Sequence, residues 1–213
     1  MNISFTGKTV MVTGAGAGIG AVTAKDFGSL GANVAVVDMN IDAARATSLE
    51  INANGGMSEA FACDISDETQ VANTIASIVK RFGSLDCAFN NAGIGPDGVR
   101  IPYGALTETD SSTWRKICDV NLTGTFLCLK HELIQMKRQG GGSIVNAASI
   151  GGVRMAPNFG AYGPSKAGVI ALTELAALES ASSGIRVNVV APGPCDNTTL
   201  MANTLATDPG QDK

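Results

Sequence analysis

The segment Thr9-Val10-Met11-Val12-Thr13-Gly14-Ala15-Gly16-Ala17-Gly18-Ile19-Gly20 decides how the rest of the chain is read. A short β-branched run leads into a loop with glycine at every second position, and Ile19, Val22, Phe27 and Leu30 then recur at helical spacing until Gly31. Strand, glycine turn and helix in that order open a βαβ unit. Glycine there lets backbone N–H groups approach a phosphate at the start of a helix. Two spacings fit: Gly16, Gly18 and Ala21 satisfy G-x-G-x-x-G/A, while Gly14, Gly18 and Gly20 give G-x-x-x-G-x-G. Taken alone, the loop has a second, less favoured reading as a tight strand-to-helix turn.

The same alternation continues outward. Asn33–Val37 is a second strand ending in Asp38, and Glu59–Ala62 is a third ending near Asp64. Leu85–Phe89 is a fourth that runs into Asn90-Asn91-Ala92-Gly93, Ser143–Ala147 is a fifth, and Arg186–Val190 is a sixth. Helical patterns lie between them, notably Val71 to Phe82, Leu122 to Met136 and Ala161 to Ser180. Strands this uniformly apolar need cover on both faces. The expected fold class is therefore α/β, one doubly wound parallel sheet of Rossmann type, with residues 1–213 as a single domain. The apolar residues of Leu122–Met136 and of the helix carrying Val169, Leu172, Leu175 and Leu178 exceed one core-facing stripe, so a homo-oligomer, dimer or tetramer, is expected.

Composition narrows the partners. The net charge is −4 with no Lys/Arg run, which leaves nucleic acid and anionic membrane surfaces without an electrostatic basis. No apolar run approaches the length of a membrane span, and a cytoplasmic location is expected. The five cysteines form no CxxC pair and read as reduced, mostly buried small hydrophobes. One histidine, His131, sits in an apolar helix beside Leu133, and Trp114 reads as packing, so no catalytic metal is expected. A small molecule remains the expected partner.

Two constellations carry chemistry. Asp38 ends the second strand about 20 residues beyond the glycine loop, where a carboxylate can accept both ribose hydroxyls of an adenosine and repel a 2′-phosphate. No Lys or Arg stands in the glycine loop or at Met39 and Asn40 to offset that repulsion, so NAD is favoured over NADP. The second is Tyr162-Gly163-Pro164-Ser165-Lys166. Residues four apart share a helix face, so phenol and ammonium can address one ligand, and Pro164 is tolerable only in the first turn. An isolated Tyr-x3-Lys would read as a surface tyrosine and a solvated lysine.

Taken together and in order, the glycine loop, Asp38, Asn90-Asn91-Ala92-Gly93, Ser149 and Tyr162-x3-Lys166 resemble the short-chain dehydrogenase/reductase family, from about Lys8 to Gly193. The resemblance selects the second glycine spacing. It implies an enzyme that transfers hydride between NAD and a secondary alcohol or ketone, with Tyr162 as proton acceptor or donor and Ser149 holding the substrate oxygen. Lys166 would bind the nicotinamide ribose and lower the Tyr pKa, and Asn121 would hold a water behind Lys166. Gly14, Gly18, Ile19 and Gly20 would line the pyrophosphate and ribose, Asp38 the adenosine ribose, Asp64 and Ile65 the adenine, and Asn91 the middle of the cofactor. Gly193, after the sixth strand, completes the cofactor set. Without the resemblance, Ser149 and Asn121 are polar residues at element boundaries, read as a turn and a cap.

Two departures from the family pattern stand out. Pro192-Gly193-Pro194-Cys195-Asp196-Asn197-Thr198 displaces the threonine that usually follows Pro-Gly. The sequence ends at Lys213, where relatives usually continue through further helices and a seventh strand, so a C-terminal portion is expected to be lacking and the sixth strand to lie at an edge. The rival readings are an NAD-using epimerase or dehydratase on the same fold and a non-catalytic dinucleotide-binding subunit.

Overall fold

A computed structural model describes residues 3–195. It forms one six-stranded, wholly parallel sheet in the order β3-β2-β1-β4-β5-β6. The strands are β1 (Thr9–Thr13), β2 (Asn33–Asp38), β3 (Met57–Ala62), β4 (Cys87–Asn90), β5 (Gly142–Ala147) and β6 (Ile185–Val190). Between them run α1 (Gly18–Ser29), α2 (Ile41–Ala53), α3 (Glu68–Phe82), α4 (Ser111–Cys118), α5 (Gly124–Gln139), the single-turn α6 (Ile150–Val153) and α7 (Tyr162–Ser180).

Alternate strand residues explain why both faces are covered. Val10, Val12, Val34 and Val36 pack with Ala24 of α1 and Ala44 and Ile51 of α2. Met11, Ala35 and Val37 point the other way, into Val71, Ile75 and Ile78 of α3, Leu127, Leu129 and Met136 of α5 and Ala176 of α7. The strand period of two thus feeds two cores from one sheet. The reversal of strand order between β1 and β4 opens a crevice at the carboxyl ends, where Gly14, Asp38, Asn90 and Ala147 all arrive.

Several elements differ from the sequence expectation for definable reasons. β4 starts at Cys87 because the Gln139 side chain occupies the Leu85 backbone: Leu85 N–H donates to Gln139 Oε1 (3.2 Å) and Gln139 Nε2 to the Leu85 carbonyl (2.7 Å). The helix expected from Leu122 is the later part of a longer rod, since α4 and α5 are joined by a π-helical turn, Asp119–Thr123. Helix α2 has no apolar stripe to announce it, for it buries Ala44, Thr47, Ser48 and Ile51. Its start is fixed instead by Asn40, whose side chain accepts from the N–H groups of Asp42 and Ala43. All five cysteines are unbridged by disulfides, but only Cys63 and Cys128 are buried. β6 lies at the edge of the described sheet, and among the described residues no helix is long and apolar enough to cross a membrane.

Ile144, at the centre of β5, has no solvent exposure and joins the core shared with α5. Ile144→Ala should cost about 3 kcal/mol of unfolding free energy, the usual range for a large aliphatic lost from a packed core. Urea denaturation measures it; a loss below about 1 kcal/mol would mean that this core collapses around the cavity.

Candidate active site

The glycine loop is shaped by close backbone contacts. Gly14 and Gly18 both have positive φ, +64° and +53°. A Cβ on Gly20 would overlap the Gly14 carbonyl oxygen, and one on Gly14 would lie 2.8 Å from the Ala92 Cα. No side chain caps the N-terminus of α1 and its first turn holds no acidic residue, in contrast to α2, α3 and α4, which Asn40, Asp67 and Asp110 cap. The positive end of a 12-residue helix is thus presented bare behind a loop of glycine and alanine alone. That suits the pyrophosphate of a dinucleotide.

Opposite this loop, Thr13 and Asn91 lock β1 to β4. The Thr13 hydroxyl accepts from the N–H groups of Asn91 (3.0 Å) and Ala92 (3.2 Å). Asn91 Nδ2 returns to the carbonyls of Thr13 (3.1 Å) and Gly14 (3.4 Å). Asn91, expected at the middle of the cofactor, therefore also builds the loop that would hold it. Asp38 has a similar double aspect: Oδ2 accepts from Gly16 N–H and Oδ1 from Asn40 N–H, both at 2.9 Å, and the half-buried carboxylate lies beside the glycine loop. Asp64 holds Ser66 through its main-chain N–H (2.9 Å) and hydroxyl (2.7 Å). Ile65 turns its side chain into the core against Gly124. Ile19 is half-buried against the α1/α2 core, and Gly193 is exposed just past β6. Asp196, Asn197 and Thr198 lie outside the described residues.

Ser149, Tyr162 and Lys166 come together. Ser149 caps α6 through Gly151 N–H (3.1 Å), and a Cβ on Gly151 would meet both the Ser149 hydroxyl and the Tyr162 ring at 3.5 Å, so the two side chains are neighbours. Tyr162 opens α7, and Lys166 one turn later is 3% exposed, which disposes of the solvated-lysine reading. Its Nζ donates to the Ala147 carbonyl at the end of β5 (2.8 Å). Gly95 lies flat on the Tyr162 ring, where a Cβ would come within 2.7 Å of Cδ2. Burial pushes the phenol above its usual value, opposed by the neighbouring Ser149, and drives the Lys166 ammonium down to about 8. Both shifts favour the neutral forms, so the lowering expected for Tyr162 runs against the burial of the site itself.

Asn121 sits in the π-helical turn, fully buried. Its side chain grips residue 94 from both sides, Oδ1 accepting from Ile94 N–H and Nδ2 donating to the Ile94 carbonyl, each at 2.8 Å. Nδ2 also reaches Ser165 Oγ (3.1 Å), which itself donates to the Tyr162 carbonyl (2.7 Å). A Cβ on Gly93 would touch both Asn121 Oδ1 and Lys166 Nζ at 3.1 Å, so the three groups surround one point. π-turns recur at functional sites because the wider turn re-aims side chains. Thr13, Ser165 and the Ala147 carbonyl carry as much of this geometry as the expected residues. Their only sequence signal is position, at strand ends or between Tyr162 and Lys166.

Beside the site, the 94–110 loop is stiffened by Asp97, whose buried carboxylate accepts from the N–H groups of Val99, Arg100 and Ile101 and pairs with Arg100 Nε (2.8 Å). It borders a partly open pocket of about 90 Å³ lined in part by Pro96, Ile101, Tyr103, Glu108 and Phe159. Tyr103 meets Phe159 edge-on at 5.3 Å, and Phe159 lies 6.3 Å from the Tyr162 ring.

A dinucleotide cradle beside a buried Ser-Tyr-Lys group on a parallel sheet defines a class of nicotinamide-dependent enzymes. The family described as short chain dehydrogenase matches residues 8–209. The protein belongs to it. It is 41% identical over 206 residues to the 2,5-dichloro-2,5-cyclohexadiene-1,4-diol dehydrogenase of Sphingobium indicum, covering 96% of this chain and 79% of that one. It is 38% identical over 196 residues to the cyclohexanol dehydrogenase of Acinetobacter sp. strain SE19, covering 91% and 75%. Among solved structures, an NAD+-bound xylitol dehydrogenase superposes with a TM-score of 0.84 at 39% identity, covering 89% of this chain and 71% of that one. The protein is thus an oxidoreductase that uses a nicotinamide cofactor.

Because a methyl on Gly20 would strike the Gly14 carbonyl, Gly20→Ala should displace the loop and weaken dinucleotide binding at least tenfold, about 1.4 kcal/mol, while the far-UV circular dichroism stays unchanged. Fluorescence titration with the reduced cofactor reads the loss. Affinity equal to wild type would show that the loop is not the pyrophosphate site.

Proposed function

We propose that this chain is an NAD-dependent dehydrogenase or ketoreductase acting on secondary alcohols and ketones, with six-membered alicyclic alcohols as its substrate class. The observation that carries the reading is the Ser149 hydroxyl set beside the Tyr162 ring with Lys166 buried one turn behind it. The nicotinamide, when bound, supplies or accepts the hydride. The proton is the protein's task. Ser149 holds the substrate oxygen, and Tyr162 gives its proton to a carbonyl or takes one from an alcohol. Lys166, charged, offsets the phenolate that a buried tyrosine would otherwise resist. Asn121 keeps Ile94 and Ser165 in place around this group, with a water behind Lys166.

For the cofactor, Gly14, Gly18, Ile19 and Gly20 form the pyrophosphate and ribose contacts, Asp38 takes the adenosine ribose, and Asp64 and Ile65 border the adenine. Asn91 meets the middle of the cofactor, and Gly193 completes the set. The carboxylate of Asp38 beside the loop supports NAD over NADP, as does similarity to a dehydrogenase solved with NAD+. Two relatives named for cyclohexane-type alcohols and the aromatic row Tyr103, Phe159 and Tyr162 support the alicyclic substrate. The exposed Phe126 and Ile134 on α5 and Leu175 and Leu178 on α7 support assembly into a homo-oligomer through these helices.

NADH formation with cyclohexanol, cis-cyclohexanediols and a linear polyol tests the class: the ring alcohols should turn over with the highest kcat/KM, and a clear preference for the linear polyol would reject it. Tyr162→Phe should lower kcat about a thousandfold, as expected for a lost proton-transfer group, with NADH affinity within about twofold. Wild-type turnover in that variant would refute the role. Asp38→Ala loosens the Gly16 and Asn40 contacts for either cofactor, so the ratio is the measurement: the preference for NAD over NADP should fall about tenfold or more, as for a lost hydrogen bond to a charged group. An unchanged ratio would remove Asp38 from cofactor selection.

A further inference from the structure

Behind the site lies a polar chain that the proposed chemistry does not use. Thr173 on α7 donates its hydroxyl to the Val169 carbonyl (2.7 Å), so its oxygen must accept from Asn146 Nδ2 (2.9 Å). That fixes Asn146 Oδ1 as an acceptor toward Asn90 Nδ2 (2.9 Å). The second proton of Asn90 Nδ2 goes to Glu132 Oε2 on α5 (2.9 Å). Every bond in the chain has one permitted direction, because reversing the Asn90 amide would set its oxygen against two acceptors. All four side chains are buried, and Glu132 and Asn146 have no solvent exposure.

Two atoms of this chain lack a protein partner, Asn90 Oδ1 and Glu132 Oε1. Both are acceptors in the ionised state, and they belong to residues already joined by one hydrogen bond. A single proton on Oε1 turns the contact into a two-point acid–amide pair, with Asn90 Nδ2–H donating to Oε2 and Oε1–H donating to Oδ1. We propose that Glu132 is a positioning residue that works as the neutral acid, closing this pair with Asn90 and so setting the ends of β4 and β5. The residues that follow are those of the site: Asn91 clamps the glycine loop, and Ala147 holds Lys166.

The surroundings favour the neutral acid. Burial pushes Glu132 up to about 8, and the titratable group beside it on its own helix is Cys128, a thiol that burial holds well above the usual range. β4, β5 and α7 present the uncharged Asn90, Asn146 and Thr173 to the cluster. Glu68 of α3 meets Lys130 and His131 in a separate, exposed group. Since the folded protein keeps a proton that the unfolded chain releases in the ordinary carboxyl range, stability should fall as pH rises from that range to about 8 and then level off.

Urea unfolding of wild type, Glu132→Gln and Glu132→Leu at about pH 5.5 and 8.5 tests the proton directly and needs no substrate. The amide of Gln can donate to Asn90 Oδ1 and does not titrate. Between the two pH values the wild-type unfolding constant should therefore rise on the order of a hundredfold more than that of Glu132→Gln. Wild type should also show an infrared C=O band of a protonated carboxyl that Glu132→Gln lacks. Parallel pH dependences, absence of that band, or failure of Glu132→Gln to fold would each overturn the proposal. For positioning, Glu132→Leu should weaken NADH binding about tenfold, or about 1.4 kcal/mol, and Glu132→Gln should restore it. Equal binding by all three, or equal loss in both variants, would reject that role. Because these readouts are stability, spectrum and NADH affinity, they stand even if the alicyclic alcohols are not substrates.

Discussion

The Thr13 hydroxyl is the contact on which the site depends. By accepting both Asn91 and Ala92 N–H groups at the carboxyl end of β1, it fixes where β4 ends relative to the glycine loop. The switch in strand order opens the crevice there, and the sheet cannot close it with further ladder bonds. A threonine supplies the oxygen without leaving the strand, and Asn91 returns the link by binding the carbonyls of Thr13 and Gly14. With that edge fixed, Gly14 can approach Ala92 closely enough that no side chain fits between them. The bare N-terminus of α1 is then aimed into the crevice.

A second constraint is the cost of keeping Lys166 dry. Burial depresses its pKa, and the Ala147 carbonyl is the hydrogen-bond acceptor that offsets part of that cost. The carbonyl is free to do so because it ends β5, where the ladder with β4 has stopped at Asn90–Asn146. Tyr162 faces the opposite problem, since its neutral form is the one that burial favours. The same desolvation that makes the pair sensitive to any added charge also keeps the unliganded protein from holding an exposed phenolate.

The fold was legible because its strands keep a run of β-branched residues that only two-sided burial explains, and Val10 to Val12 and Val34 to Val37 divide between the two cores as their period requires. The site residues could be placed in sequence because each follows a strand or opens a helix. What could not be read is contact. Nothing in the spacing of Asn121 shows that its amide grips Ile94, since the π-turn that aims it has no compositional mark. Helix α2 escaped notice because its buried positions are Ala, Thr and Ser. Glu132 did carry a signal: Thr125, Cys128, Leu129, Glu132 and Met136 keep the spacing of a single buried stripe, which put a carboxyl inside the core.

Buried polar groups gather at one end of this sheet because the strands leave their last carbonyls and amides there without ladder partners, and a crevice for a ligand prevents apolar cover. Thr13, Asn91 and Lys166 meet that need at the strand ends, and behind them Asn90, Asn121, Asn146 and Ser165 bond to one another and to neighbouring groups with amides and hydroxyls, which donate and accept at once. Such a network is rigid only if every direction in it is consistent, and a half-satisfied one is weaker than an apolar core. Thr173 sets the direction at one end by donating to Val169. At the other end an ionised carboxylate would leave Asn90 Oδ1 and Glu132 Oε1 both as acceptors without a donor, whereas the proposed neutral acid completes the chain. The proton on Glu132 is thus the element that lets the support behind the crevice share the rigidity of the strands it joins.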